Sequence, residues 1–418
     1  MTHSLSETLS VFWRIGVQSF GGPAAQIALM HRVLVEEKKW LTEQQFLNAL
    51  SFCMLLPGPE AMQLATYSGW RIRGVMGGLM AGLLFVLPGA AVIFALAALY
   101  VSYGKVPFVA LLFLGVKSAV LIIVLEALLK VSRRALKGKA HWIIAGLAFI
   151  GIFFLSLPFP LIVIGAGIYG ALTASGLAAE TDLPRHRMQN TLATVVIWLA
   201  IWLVPLAALD LFAGQTILPQ LGAFFSKLAV VTFGGAYAVL AYMAQDVVTG
   251  FGWLTADEML DSLGLAETTP GPLILVTQFV GFIAGFRDAG FGMAFAAAIV
   301  TLWATFTPCF LWIFAGAPYI DQIAAQPRMI GALSAITAAV VGVILNLSLW
   351  FGLNVLFHEV SRAKWGVFTL WQPELESLDW RAALLSMLCG VLLLRLKLGL
   401  GWVLGLAAAG GVLLGQLG

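Results

Sequence analysis

The chain reads as an all-α, polytopic membrane protein whose two homologous halves form an inverted-topology repeat with broken helices. Three observations carry that reading. Apolar side chains fill 61% of its 418 positions and charged ones only 10%, against roughly 25% charged in a soluble domain. Runs such as Gly77–Leu99, Phe108–Leu129, Trp142–Leu157 and Ala289–Ala315 are mostly long enough for the roughly 20 helical residues that cross hydrocarbon. Their internal Gly and Pro are residues that membrane helices tolerate. Finally, the segment around Phe12–Pro59 recurs without a gap at an offset of 213 residues.

The repeat rests on rare residues. Phe12, Arg14, Ser19, Phe20, Gly21 and Gly22 map onto Phe225, Lys227, Thr232, Phe233, Gly234 and Gly235. At the same offset Trp40-Leu41-Thr42 meets Trp253-Leu254-Thr255, and Pro57-Gly58-Pro59 meets Pro270-Gly271-Pro272. Glycine, leucine and phenylalanine coincide easily in so apolar a chain, but two such triplets in register do not. Beyond the second triplet the offset moves to about 220, pairing Pro88 with Pro308 and the 108–130 run with 328–350. After that only Trp142 and Trp380 keep a weak register.

These boundaries give a first half at 1–179, a polar linker with an unmatched apolar span at 180–210, and a second half at 211–418. Each half offers about six helices and the linker one, so about seven spans separate an element from its copy. An odd number inverts the second copy, as in many secondary transporters. The basic loop Lys130, Arg133, Arg134, Lys137 and Lys139 belongs on the cytoplasmic side by the positive-inside rule, which puts the N-terminus there too. The first segment holds Arg14 and Gln18 within its apolar stretch and lacks a small-residue cleavage site, so it reads as part of the mature protein.

Several classes are excluded. The net charge is +3 and the basic residues lie in short loops, so no nucleic-acid surface is expected. The three cysteines, Cys53, Cys309 and Cys389, each stand alone in an apolar run, which points to packing. The histidines lie at span ends or in loops, and neither a metal nor another cofactor is expected. An intramembrane enzyme would need a nucleophile–base pair or a metal cluster, and no HExxH or GxSxG motif is present.

The chemistry-bearing residues sit at the breaks. Each Pro-Gly-Pro removes amide donors and clashes with the preceding turn, costing roughly 3 kcal/mol in a helix. A new helix is therefore expected to begin at Pro59 and at Pro272, its free amides forming an anion-binding end. The Gly-Gly pairs at Gly21, Gly22, Gly234 and Gly235 allow a ligand close to the backbone or, equally, close helix packing. Arg14, Gln18 and the glycines share one helical face, ending beside Ser19, and Lys227 and Thr232 repeat the arrangement. A cation within a span usually faces a cavity or a partner, unless it reaches the headgroups. Lys117, in the middle of the 108–129 run with Thr337 as its counterpart, is a candidate for substrate binding, coupling or an internal ion pair. Glu60 and Glu267 flank the triplets and are candidates for proton coupling or for stabilising helix ends, with Gln63 among their hydrogen-bonding neighbours. Glu126 and Lys130 form an i,i+4 pair, and Glu36, Glu37, Lys38 and Lys39 read as a solvated loop.

The motifs Ser19-Phe-Gly-Gly-Pro23, Trp-Leu-Thr, Leu55-Leu-Pro-Gly-Pro59 with Gln63 and Tyr67, then Thr232-Phe-Gly-Gly and Ala266-Glu-Thr-Thr-Pro-Gly-Pro272, resemble the chromate ion transporter family in its long form of two fused halves. The similarity covers nearly the whole chain and is strongest in the first ninety or so residues of each half. The resemblance implies export of chromate across the bacterial cytoplasmic membrane, chromate resistance, and sulfate as a related oxyanion. It carries site roles onto Arg14, Gly21, Gly22, Pro57, Gly58, Pro59, Gln63, Gly234, Gly235, Pro270, Gly271 and Pro272. The second copy departs from the pattern with Ala236 for Pro23 and Val276 for Gln63, so the halves are not equal partners in binding. Two helix N-termini with nearby cations suit a tetrahedral dianion without choosing among chromate, sulfate and molybdate. The remaining expected partners are membrane lipid and a possible second copy of the chain in a homodimer. No GxxxxGK[ST] loop occurs, so the driving force is expected from an ion or substrate gradient.

Overall fold

A computed structural model describes residues 4–104, 106–174, 188–233, 236–320, 326–366 and 368–416. Most of the polar linker therefore lies outside the described residues. The first half runs α1 (Leu5–Gln18), α2 (Gly22–His31), α3 (Glu43–Cys53), α4 (Glu60–Tyr103), α5 (Pro107–Ala135), α6 (Lys139–Phe153) and α7 (Phe159–Thr173). The span α8 (Met188–Phe212) follows the linker. The second half runs α9 (Leu218–Val231), α10 (Ala236–Gln245), α11 (Ala256–Thr268), α12 (Val276–Gly316), α13 (Pro327–Leu356), α14 (Trp380–Gly390) and α15 (Leu400–Gly415). Among the described residues, five segments are long and apolar enough to cross a membrane: α4, α5, Thr191–Phe212 of α8, the stretch Leu273–Tyr319 around α12, and α13. The protein is a multi-pass, helical membrane protein.

Local structure repeats with the sequence. The Trp40 amide donates to the Leu34 carbonyl at 2.8 Å and the Trp253 amide to Val247 at 2.9 Å. Thr42 and Thr255 then cap α3 and α11 through reciprocal bonds with Gln45 and Glu258, the capping box that satisfies two orphan amides. The Trp-Leu-Thr triplet is thus a hook, a buried leucine and a helix start. The segment expected as a solvated loop is different in part: Arg32–Glu37 is a π-helical turn closed by Lys38 N–H to the Val33 carbonyl at 3.0 Å. Asp246–Gly250 repeats it in the second half.

Both long helices after the triplets are folded back on themselves. Helix α4 breaks at Arg73–Gly74 and α12 at Ala289–Gly290, where Gly74 has φ +63° and Gly290 φ +76°. Close approach follows: a Cβ on Gly69 would strike the Gly77 carbonyl, and one on Gly82 would come within 2.5 Å of Thr66 Oγ1. The stretches 60–72 and 276–288 are therefore short helices, about 20 Å long at 1.5 Å per residue, each packed against the span that follows it.

The chain divides into two compact units, residues 1–97, 174–236 and 269–330 in one and 98–173, 237–268 and 331–418 in the other. Each draws segments from both sequence halves. In the first, α12 packs against α8 and α9, with Trp198 stacked on Phe310 at 5.6 Å. In the second, α5 packs against α15, α14 and α11. Gly115 faces the Ala407 carbonyl and Gly411 the Leu111 carbonyl, the small-residue contact that lets membrane helices approach.

A β-hairpin, β1 (Val360–Trp365) with β2 (Phe368–Pro373), stands between α13 and α14. It is absent from the corresponding α5–α6 connection, which accounts for the loss of repeat register there. The hairpin is fastened by Thr369 N–H to the Phe154 carbonyl at 2.7 Å.

Candidate functional site: the proline–glycine breaks

In the first copy α3 ends at Cys53, a turn carries the chain through Pro57-Gly58-Pro59, and α4 begins at Glu60. In the second copy Pro272 is followed by a single 3-10 turn, Leu273–Leu275, before α12 starts at Val276. The expected helix starts are therefore present, one immediate and one delayed by a turn. Each leaves its first amides without intrahelical acceptors.

The two triplets are held in the same way. Gly58 has φ +115° and Gly271 φ +90°, conformations that L side chains rarely adopt. The Gly58 amide donates to the Thr232 carbonyl at 2.9 Å, and the Gly271 amide to the Ser19 carbonyl at 2.8 Å. Gly58 and Gly271 are repeat equivalents, and so are Ser19 and Thr232. Each triplet is thus tied to the helix break of the opposite copy. The carbonyls that accept are exposed by matching C-terminal turns: the Ser19 hydroxyl bonds the Ile15 carbonyl at 2.6 Å and the Thr232 hydroxyl bonds that of Leu228. Both residues are buried.

Two glutamines complete the support. Gln63 Nε2 donates to the Pro57 carbonyl at 2.7 Å. Gln26 Nε2 donates to the Gly271 carbonyl at 2.6 Å and reaches the Ser19 carbonyl at 3.3 Å. Both side chains are buried, and their Oε1 atoms have no hydrogen-bond partner among the described residues. Room is tight: a Cβ on Gly58 would lie 2.9 Å from Gln63 Nε2 and 3.1 Å from Cys309 Sγ, and one on Gly89 would strike the Pro270 carbonyl. Gly89 and Cys309 follow the paired prolines Pro88 and Pro308, so the same position of each long helix abuts the other copy's triplet.

The remaining candidates fall elsewhere. Gly21 and Gly22 form the break before α2 with φ +86° and +77°, while Gly234 and Gly235 lie outside the described residues. Gln18 is the exposed last residue of α1. Arg14 is exposed and paired with Glu37 at 2.9 Å, and Lys227 lies on the exposed side of α9. Lys117 is engaged by Asp257 at 2.7 Å and Asp261 at 3.3 Å, which realises the ion-pair alternative. Glu60 opens α4, half-buried, whereas Glu267 is buried and accepts from Tyr237 Oη at 2.8 Å. Glu126 and Lys130 pair at 2.7 Å as their spacing implies. The structure thus brings together Ser19, Gly271 and Gln26, and separately Thr232, Gly58 and Gln63. Sequence reasoning missed Gln26, Gly89 and Cys309. The last two had a signal in the matched residues after Pro88 and Pro308, but Gln26 had none.

Comparison with known proteins finds one family in both halves. The chromate transporter family model matches twice, over residues 6–171 and 219–413. A probable chromate transport protein of Synechococcus elongatus is 30% identical over 370 residues, covering 88% of this chain and 89% of that protein. Chromate transport proteins of Cupriavidus metallidurans and Pseudomonas aeruginosa are 30% and 32% identical, each over 82% of this chain and over 81% and 79% of their own lengths. No solved structure matches the chain. Two matches to one family model, each spanning its own Gly-Gly pair and Pro-Gly-Pro triplet, make the chain a member of the chromate transporter family.

Proposed function

We propose that this protein is a secondary transporter that exports chromate across the cytoplasmic membrane of a bacterium and so confers resistance to it. The observation that carries the reading is the reciprocal fastening of the two Pro-Gly-Pro segments. It supports a paired site of two short-helix N-termini, built from both copies, in which the substrate meets Ser19, Gly21, Gly22 and Pro57–Gln63 from one copy and Thr232, Gly234, Gly235 and Pro270–Pro272 from the other. A tetrahedral dianion matches the partial positive charge of such ends and needs no metal. The two copies run in opposite senses, so that rocking of one against the other opens the site to alternate sides. Arg14 and Lys227 are the cations on the approach. The Arg14–Glu37 pair is half-exposed and worth only about 0–1 kcal/mol, so an arriving dianion can take the guanidinium from it. Glu60 and Glu267 stand next to the triplets as proton-carrying candidates, and Glu267, buried against Tyr237, has the more secluded carboxyl.

Labelled chromate flux in inverted membrane vesicles, with and without a proton gradient, tests the reading. Gradient-dependent uptake into the vesicles is expected. Competition by unlabelled sulfate and molybdate in the same vesicles identifies the oxyanion, and full protection by either at concentrations well below chromate would replace chromate as the substrate.

A further inference from the structure

Away from the proline–glycine breaks, ionisable side chains gather at one place in the second compact unit. Lys117 stands in the first half of α5, and α11 packs beside it. Lys117 Nζ lies 2.7 Å from Asp257 Oδ1 and 3.3 Å from Asp261 Oδ1, and Tyr100 Oη donates to Asp261 Oδ2 at 2.6 Å. The side chain of Asp257 is 76% exposed and that of Asp261 only 8%. The cluster therefore has an open end and a closed end, joined by the ammonium. One cation faces two carboxylates, so the group is one positive charge short of neutrality when both acids are ionised. A buried carboxylate in that position is costly unless it is paired or protonated.

The chain contains its own control. At the repeat offset Asp257 and Asp261 correspond to Gln44 and Asn48 in α3, and Lys117 to Thr337 in α13. Helix α3 forms with the same cap as α11, and Gln44 simply bonds Asn48 at 2.8 Å. The helix pattern thus needs no charge at these positions, yet one copy places three there. Among the described residues, the other ionisable groups facing this region are Glu258 at the cap of α11 and, further along α5 and α11, Glu126, Glu267 and Tyr237. None of these is a cation that could neutralise Asp261 in place of Lys117.

We propose that Asp261 is a proton-carrying group that couples transport to the proton gradient, with Lys117 as its internal counter-cation and Asp257 as the exposed relay. A proton entering at Asp257 passes to Asp261 Oδ1, forming an O–H bond there. The ammonium, still charged, turns wholly to Asp257. On the other side of the cycle the proton leaves to water, and Lys117 returns to the Asp261 carboxylate. No bond other than O–H changes, and each full cycle takes up one proton and releases one. Helix α11 continues within the chain directly into Thr269-Pro270-Gly271-Pro272, so the state of the Asp261–Lys117 pair bears on the segment that holds Gly271. This inference rests on the transport reading above.

Purified protein in liposomes tests both and separates them. Two rates are measured with labelled chromate: exchange against internal chromate at equal pH, and net flux driven by an imposed pH gradient, with an entrapped pH-sensitive dye recording protons. Wild type is expected to show both rates and to move protons with chromate. Asp261→Asn, the residue that the other copy carries, is expected to keep exchange within about twofold while gradient-driven flux falls at least tenfold and proton movement stops. Asp261→Glu is expected to retain driven flux with a displaced pH profile. Gradient-driven flux undiminished in Asp261→Asn overturns the proposal, as does equal loss of exchange and driven flux in both variants. Absence of exchange in wild type removes the transport reading and the coupling with it.

Discussion

At Gly58 and Gly271 a single hydrogen atom in place of a side chain lets the backbone take its turn. Both sit at positive φ, and a side chain at Gly58 would press on Gln63 and Cys309. Strain of this kind costs about 1–3 kcal/mol for a non-glycine residue, and a larger side chain adds overlap to it. Gly58→Leu or Gly271→Leu should therefore abolish chromate flux with protein still present in the membrane fraction, and undiminished flux from either would reduce that triplet to a packing kink. If Arg14 and Lys227 bind the dianion on its approach, as proposed, Arg14→Ala should eliminate transport, Arg14→Lys should weaken it because ammonium lacks the bidentate fork, and Lys227→Arg should be the mildest change. Flux per inserted molecule is the measurement, and Glu37→Gln is the control. If Arg14 serves only to hold Glu37, both Arg14→Ala and Glu37→Gln should behave alike. The triplets were legible because proline chemistry is local. Gln26 was not, since its bond to the Gly271 carbonyl spans 245 residues and nothing near Gln26 in the chain announces it.

Among the elements, the hairpin and the helix after it show where pattern reading stops. The strands Val360–Trp365 and Phe368–Pro373 lie between two strongly apolar spans, and Gly366 turns them with φ +61°. Six-residue strands carry too little alternation to stand out beside spans several times longer. Asp379 then caps α14, accepting from the Arg381 amide at 2.9 Å and the Ala382 amide at 3.3 Å, with Arg381 Nε at 3.2 Å. Burial alone would raise this carboxyl, but the Arg381 guanidinium and the two amides prevail and hold it below its ordinary value. Its folded pKa is depressed, so its contribution is complete above the unfolded value of about 3.9 and is lost as pH falls through the folded one. Asp379→Ala is expected to lower stability by about 1 kcal/mol at neutral pH. The gap to wild type should close on acidification below about pH 4, and thermal melts in detergent across that range would show it. The folded-back helices 60–72 and 276–288 were half legible: the prolines marked where they start, while the reversals at Gly74 and Gly290 fall among glycines that also serve packing.

For the molecule as a whole, the duplication could be read from two pairs of triplets, but the exchange of partners between copies could not. A repeat states which residues are equivalent, and it is silent on which copy each one touches. Topology is the open test at this scale. Reporter fusions after Lys139 and after Lys364 should report opposite sides of the membrane if the copies are inverted, and two cytoplasmic signals would end that claim. The two compact units cut across the sequence halves, so neither half should function alone. Residues 1–179 and 180–418 made as separate polypeptides are expected to restore flux only when produced together.

The crossed fastening of Gly271 to Ser19 and of Gly58 to Thr232 also sets a timetable for biogenesis. A ribosome adds roughly 5–20 residues per second, so Gln26 waits about 10–50 s for the glycine 245 positions later that fills its hydrogen bond. Throughout that interval the first half sits in the membrane with an open carbonyl at Ser19, and the Gly58 amide stays unanchored until Thr232 is made. A nascent chain in this state is a natural client for any factor that shields polar backbone within lipid, and crosslinking at Ser19 should capture such a factor only on chains halted before Gly271.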